Sequence, residues 1–343
     1  MPADTTASDS PRRIMIAGGS GLIGRHLAAA LLERGDEVIV LSRDPARAQP
    51  LLPGCAVLRW RPGSAGRWQD ELEVVDALID VSGAPFFTRW RGDYYKREVL
   101  GSRHSAIESL IEAIARAETR PDVFVSTSSL GVYGFRREEQ SLTETSAPDI
   151  GPLSRDAVGL ERHALKAEAF GPRVVHLRPG IVLAPDGGAV EIMRRAFARG
   201  LGAPIAPGSQ WCSWIHIADA VELIGVLLGD KRARGAFNLT SPHPVRNREF
   251  AEAFAAATSH SLRSSIPGRA LHLMFGKAAI TVTHGQRVLP ARALELGHSF
   301  RFPKLNDALA ELVWRVGTDP LQGGRASAVP PDARFNGLRS VSR

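Results

Sequence analysis

The chain has 343 residues, too many for one small domain, with 44% hydrophobic and 23% charged residues, an ordinary globular composition. No run approaches the roughly 18 apolar residues that a membrane-spanning helix needs, so no spanning segment and no membrane partner are expected. The formal charge is +7, with only five lysines among the 43 basic residues, yet the arginines are scattered among acids, as in Arg136-Arg137-Glu138-Glu139, and no basic block alternates with stacking aromatics, which argues against nucleic-acid binding.

In chain order, residues 1–12 are polar, lack the apolar core of a secretory signal and are expected as a disordered tail. Arg13-Ile14-Met15-Ile16-Ala17 then reads as a strand, running into Gly18-Gly19-Ser20-Gly21-Leu22-Ile23-Gly24 and a helical pattern at Leu27–Arg34. A Gly-x-x-Gly-x-x-Gly turn between a first strand and a first helix is a dinucleotide-binding signature. Gly18 allows the tight turn, Gly21 lets the backbone approach a pyrophosphate, and Gly24 lets the helix pack close to the sheet. The helix start adds N–H groups without intrahelical partners and a partial positive charge. The second strand, Val38–Leu41, ends in Ser42-Arg43. A site selecting NAD places an acid at this strand end for the ribose 2′-hydroxyl, whereas a guanidinium binds a 2′-phosphate, so the sequence favours NADP(H). The competing reading leaves Arg43 on the surface and lets Asp44 reach the ribose.

Further apolar runs at Ala77–Val81, Val123–Ser126 and Val174–Leu177 alternate with helical patterns at Ser105–Ala117 and Ala157–Ala169. That alternation predicts an α/β fold, a Rossmann-type doubly wound parallel sheet. The run at Val123 opens into a hydroxyl-rich loop through Ser128 and Tyr133-Gly134, at the carboxyl edge where open α/β sheets bind ligands. Ser128 is a candidate to orient a substrate oxygen and Tyr133 to transfer a proton. Ser126, Thr127 and Ser129 are expected to satisfy loop backbone. After Arg178 the texture changes to stretches rich in glycine and proline, Ala184–Gly188 and Gly200–Gly208, then helical patterns at Asp219–Leu228 and Asn247–Ala257. The expected division is a nucleotide domain over residues 13–180, with segments of about 208–240 returning to it, a smaller α+β substrate lobe over 181–315, and a second disordered tail over 316–343. Asp219 is expected to cap its helix while His216 ties the preceding loop to the sheet. Ala270–Phe275 reads as core or pocket wall. Cys55 and Cys212 lie far apart and read as buried thiols of a reducing cytoplasm, and no His/Cys/Asp/Glu cluster has metal-ligand spacing.

The hydroxyl-rich run resembles the Ser–Tyr-Gly segment of the extended short-chain dehydrogenases. That superfamily uses a Tyr-x-x-x-Lys pair on the following helix, where lysine lowers the tyrosine pKa. Four residues after Tyr94, Tyr95 and Tyr133 stand Glu98, Val99 and Arg137, and the segment Leu153–Glu161 holds neither tyrosine nor lysine, so the dyad is absent. Four segments carry a closer resemblance: Arg178–Ala189, Gly208–Asp219, Pro244–Ala251 and Gly285-Gln286-Arg287-Val288-Leu289-Pro290. On these, the chain from about Arg13 to Leu312 resembles an atypical branch of that superfamily, the YfcH-like epimerase family with a C-terminal DUF1731 domain. The resemblance implies cofactor contacts on the glycine turn, on Ser42 and Arg43, on Val81, Ser82 and Gly83, on Glu98 and Arg103, and on Val182. The chain departs from the family's pattern at Leu160-Glu161, Ser82, Pro179 and Val132-Tyr133. Glu161 is the candidate to replace the missing proton relay, with a salt bridge as its competing role. The implied function is an NADP-dependent oxidoreductase or epimerase acting on a small hydroxyl- or carbonyl-bearing substrate, as monomer or homodimer. The alternative is an NADP(H)-binding sensor with little catalysis.

Overall fold

A computed structural model describes residues 11–83, 101–135, 139–269, 271 and 279–317. Glu98, most of Ala270–Phe275 and nearly all of both expected tails lie outside the described residues. Seven strands form one sheet: β1 (Arg13–Ala17), β2 (Glu37–Ser42), β3 (Ala56–Arg59), β4 (Ala77–Asp80), β5 (Val123–Thr127), β6 (Arg173–Pro179) and β7 (Gly235–Leu239). Their order is β7-β6-β5-β4-β1-β2-β3, and every pairing is parallel. The chain winds outward from β1 through β2 and β3, then returns to the other side of β1 with β4. The crevice for a ligand therefore opens at the carboxyl ends of β1 and β4.

The near-continuous apolar strands follow from burial on both faces. Alternate residues serve opposite cores. Ile14, Ile16, Val38, Val40, Val175 and Leu177 pack with α1 (Leu22–Glu33) and, from further along the chain, the helix Ile217–Gly229. Met15, Ala17, Ile39, Leu41, Phe124 and Val174 pack with α2 (Gly101–Arg116) and α3 (Pro152–Ala164). The helix Ile217–Gly229 is α4, and α5 (Leu305–Gly317) runs two residues into the tail expected from 316.

Two sheet strands escape the sequence pattern. β3 is a four-residue edge strand, exposed at both ends, so its apolar run is only Val57-Leu58. β7 reads Gly-Ala-Phe-Asn-Leu, and its buried Asn238 interrupts the hydrophobic run. A third core, with Leu183, Phe197, Trp214, Phe250, Phe254, Leu305 and Leu309, builds the smaller lobe. Two short parallel pairings join distant segments: Ile181–Ala184 with Trp214–His216, and Arg287–Val288 with Ser141–Leu142.

Candidate cofactor and active site

The glycine turn is shaped by what surrounds it. Gly18 has φ +79°, and a Cβ there would lie 2.6 Å from the Ser82 backbone. A Cβ on Gly24 would lie 2.5 Å from the Gly18 carbonyl oxygen, so only glycine lets α1 sit this close to the turn. The Gly21 N–H donates to the Gly18 carbonyl at 2.9 Å. Gly21 is also the N-cap of α1, which has no side-chain cap and no acid in its first turn. The first N–H groups of the helix, at Leu22 and Ile23, and the Ser20 N–H ahead of it are thus left without a capping side chain, as an anion-binding helix start requires.

At the end of β2, the Ser42 hydroxyl donates to the Asp44 carbonyl at 3.1 Å. The Asp44 carboxylate accepts from the Arg47 N–H at 3.3 Å, capping the helix Pro45–Ala48. Arg43 is exposed and makes no hydrogen bond or ion pair among the described residues. Beside β1, the Val81 N–H continues the sheet ladder to the Ala17 carbonyl at 3.0 Å. The Ser82 N–H and hydroxyl both donate to the buried Asp80 carboxylate. Burial pushes that carboxyl above its usual range, against the Ser82 bonds and the nearby Arg103 charge. Arg103, on α2, lies against Gly83, where a Cβ would meet its Nη2 at 2.7 Å. Its Nε is buried without a partner. An uncapped helix start, a glycine cradle and an orphaned guanidinium nitrogen at one crevice fit a dinucleotide diphosphate.

Val182 belongs to the strand Ile181–Ala184, whose following turn is drawn onto α1. Asp186 in that turn accepts from Arg25 Nε and approaches His26 Nε2, each at 2.9 Å. Burial would raise its carboxyl, but these two partners hold it well below the usual range.

The hydroxyl loop follows β5. Phe124 and Val174 lie on the same sheet face, under α3, and the register carries Ser126 beside His176 and ends with Thr127 beside Leu177. The Ser128 N–H donates to the Leu177 carbonyl at 2.7 Å, while its Oγ is buried near Glu161 without a hydrogen bond of ordinary geometry. Glu161 accepts from Arg178 Nε at 2.8 Å and Nη2 at 2.7 Å. Burial works to raise this carboxyl, and the doubly bonded guanidinium outweighs it, so Glu161 sits below its usual range. Tyr133 is fully buried. Its hydroxyl donates to Asn238 Oδ1 at 2.7 Å and accepts from Arg178 Nη1 at 2.8 Å. Burial pushes the phenol up, the opposite of what a proton-accepting tyrosinate needs. α3 does pack on this loop, through Ser154 Oγ donating to the Val132 carbonyl at 2.6 Å.

The structure gives the cap expected of Asp219 to His216 and a different partner to Asp219. His216 is the N-cap of α4, with Nδ1 accepting from the Ala218 N–H at 3.1 Å, and its Nε2 lies 3.1 Å from Glu311 on α5. Asp219 instead accepts the backbone N–H groups of Arg301 at 2.7 Å and Phe302 at 3.0 Å. The histidine is close enough to cap because it immediately precedes the helix, which frees the aspartate, one turn in, for the incoming segment.

Sequence reasoning missed Asn238, Gln286 and His176. Gln286 Nε2 donates to the carbonyls of Gly134 at 2.5 Å and Leu130 at 3.3 Å, and Asn238 Nδ2 donates to the Leu289 carbonyl at 2.9 Å. Gln286 stands in the segment Gly285–Pro290, but nothing local in that sequence indicates that it reaches the hydroxyl loop. His176 is buried, its Nδ1 has no partner, and burial pushes its pKa below the usual range.

Comparison with known proteins agrees with the α/β fold. Residues 14–240 match the NAD dependent epimerase/dehydratase family, and residues 266–312 match a domain of unknown function, DUF1731. The chain is 32% identical over 311 residues to the chloroplastic epimerase family protein SDR39U1 homolog of Arabidopsis thaliana, covering 90% of this chain and 89% of that one. It is 29% identical to the epimerase family protein YfhF of Bacillus subtilis, covering 88% and 97%. Among solved structures, human epimerase family protein SDR39U1 with NADPH superposes with a TM-score of 0.76 at 30% identity, covering 88% of this chain and 99% of that one.

Proposed function

This chain belongs to the NAD dependent epimerase/dehydratase family, and from that premise we propose that it is an NADP(H)-dependent oxidoreductase or epimerase acting on a small hydroxyl- or carbonyl-bearing substrate. The observation that carries the coenzyme choice is the end of β2: the strand ends in Ser42 rather than an acid, Asp44 two residues on caps a helix through Oδ1, and Arg43 is uncommitted among the described residues. The NADPH bound in the human relative supports the same choice. The glycine turn and the start of α1 hold the diphosphate, with Arg103 beside it. When bound, the coenzyme supplies or accepts a hydride. Ser128 hydrogen-bonds the reacting oxygen of the substrate, because its buried hydroxyl, near Glu161, makes no hydrogen bond of ordinary geometry among the described residues. Arg178 keeps Glu161 ionised and Tyr133 in place, so these two position the loop rather than exchange protons freely. Two buried thiols, with Cys212 pushed up to about 11 by burial, suit a reducing cytoplasm. No helix among the described residues is long and apolar enough to cross a membrane.

A second reading, a coenzyme-binding sensor, is favoured by α3, which carries neither tyrosine nor lysine, and by the committed Tyr133 hydroxyl. Purified protein incubated with NADPH and a panel of aldehydes and ketones separates the two. Turnover lowered about 100-fold by Ser128→Ala, with NADPH affinity retained, is the expected result for the enzyme. Tight NADPH binding with no turnover on any carbonyl would leave the sensor.

A further inference from the structure

The end of β3 lies beside the end of β2. In the parallel pairing of β2 with β3, Ser42 stands opposite Arg59, and the Trp60 N–H donates to the Ser42 carbonyl at 2.9 Å. Both side chains face the same way, because Val40 and Val57, two residues earlier on each strand, both pack in the core beneath α1. The glycine turn lies on this face too: a Cβ on Gly19 would come within 2.6 Å of Val40 Cγ1. Arg59 thus leaves the sheet about 4.8 Å from Ser42, one strand spacing away, at the coenzyme end. Arg59 and Arg43 are both exposed, and among the described residues neither makes a hydrogen bond or ion pair through its side chain. Two uncommitted guanidinium groups at one strand end, Arg43 next to Ser42 in the chain and Arg59 opposite it across the ladder, suit a dianionic phosphate and have no matching partner in a plain ribose.

We infer that the edge strand completes the 2′-phosphate subsite: Arg59, with Arg43, holds the phosphate over Ser42 and sets the preference for the phosphorylated coenzyme. This rests on the NADP(H) reading above and extends it, making selectivity the property of two strand ends rather than one.

The test is direct binding to the intact protein, followed by coenzyme fluorescence for NADPH and NADH. Adenosine 2′,5′-bisphosphate serves as a competing fragment. The variants are Arg43→Ala, Arg59→Ala, Arg59→Lys and, as a control for net charge, Arg116→Ala at the exposed end of α2. Arg59→Ala is expected to weaken NADPH and the bisphosphate about tenfold and to leave NADH within about twofold, with Arg59→Lys recovering part of the loss and Arg116→Ala changing nothing. Unchanged NADPH affinity in Arg59→Ala, or an equal loss for both coenzymes, overturns the inference. If Arg43→Ala is selective and Arg59→Ala is not, the inference alone fails. If the wild-type protein binds NADH as tightly as NADPH and Arg43→Ala alters neither, the NADP(H) reading fails and takes the inference with it.

Discussion

Tyr133 illustrates how burial decides what a residue type can do. A tyrosine beside a serine at the carboxyl edge of a Rossmann sheet is a natural proton donor, but here the hydroxyl is enclosed between Asn238 and Arg178. The same guanidinium stacks at 5.1 Å over its ring and grips Glu161 with two hydrogen bonds. The side chains of Arg178 and Glu161 are only 7% and 13% exposed, so each neutralises a charge the other cannot leave to water. Replacement at the two ends of this chain should therefore differ. Tyr133→Phe leaves one acceptor, Asn238 Oδ1, and one charged donor, Arg178 Nη1, each a bond short and is expected to cost about 1–3 kcal/mol. Glu161→Gln strands a buried guanidinium and is expected to cost about 3–5 kcal/mol. Urea unfolding of both variants checks the order. A smaller loss for Glu161→Gln than for Tyr133→Phe would mean that the ion pair is not the anchor.

Elements of only a few residues hold the site together. The segment Gly285–Leu289 runs between the hydroxyl loop and the smaller lobe. Gln286 binds two loop carbonyls, the Ser213 hydroxyl donates to the Gln286 carbonyl at 2.7 Å, and the Leu289 N–H donates to the Leu142 carbonyl at 2.8 Å. Gly285 is the tightest point, since a Cβ there would lie 1.8 Å from the Trp211 carbonyl oxygen. Gly285→Ala must move one main chain or the other and is expected to destabilise the protein by about 3 kcal/mol or more, read as a lowered thermal midpoint. An unchanged midpoint would show that this contact gives way cheaply. Long elements were legible in the sequence, as in the helix Asn247–Ala257, because repeated spacing averages over many residues. The two-residue strand Arg287–Val288 and the edge strand β3 were not, because so few residues carry no period.

At the scale of the whole molecule, the buried titratable groups shape stability against pH. Burial pushes both His176 and His298 below their ordinary value, so the folded protein keeps them neutral where the unfolded chain, titrating near about 6.5, takes up protons. Their contribution is full above that pH and is lost as pH falls towards the depressed folded values. Glu161 acts with the same sign further down, contributing above about 4.3 and losing it as pH falls through its lowered value. Buried Asp80, Glu144 and Asp219, raised by desolvation, act in the opposite sense in the acid range. Comparing thermal midpoints from pH 7.5 to 5 isolates one histidine: the decline should be shallower in His176→Gln than in the wild type, and parallel curves would refute the assignment. By itself the sequence determined the glycine turn, the parallel α/β architecture and the class of coenzyme, because each is written in the spacing of neighbouring residues. Only the tertiary structure decided that Arg59 stands beside Ser42, that the Tyr133 hydroxyl is spent on Asn238 105 positions away, and that Gln286 closes a loop 152 positions before it. Local pattern records which residues are buried and with what period, whereas the partner met in the interior depends on how distant strands are ordered and paired.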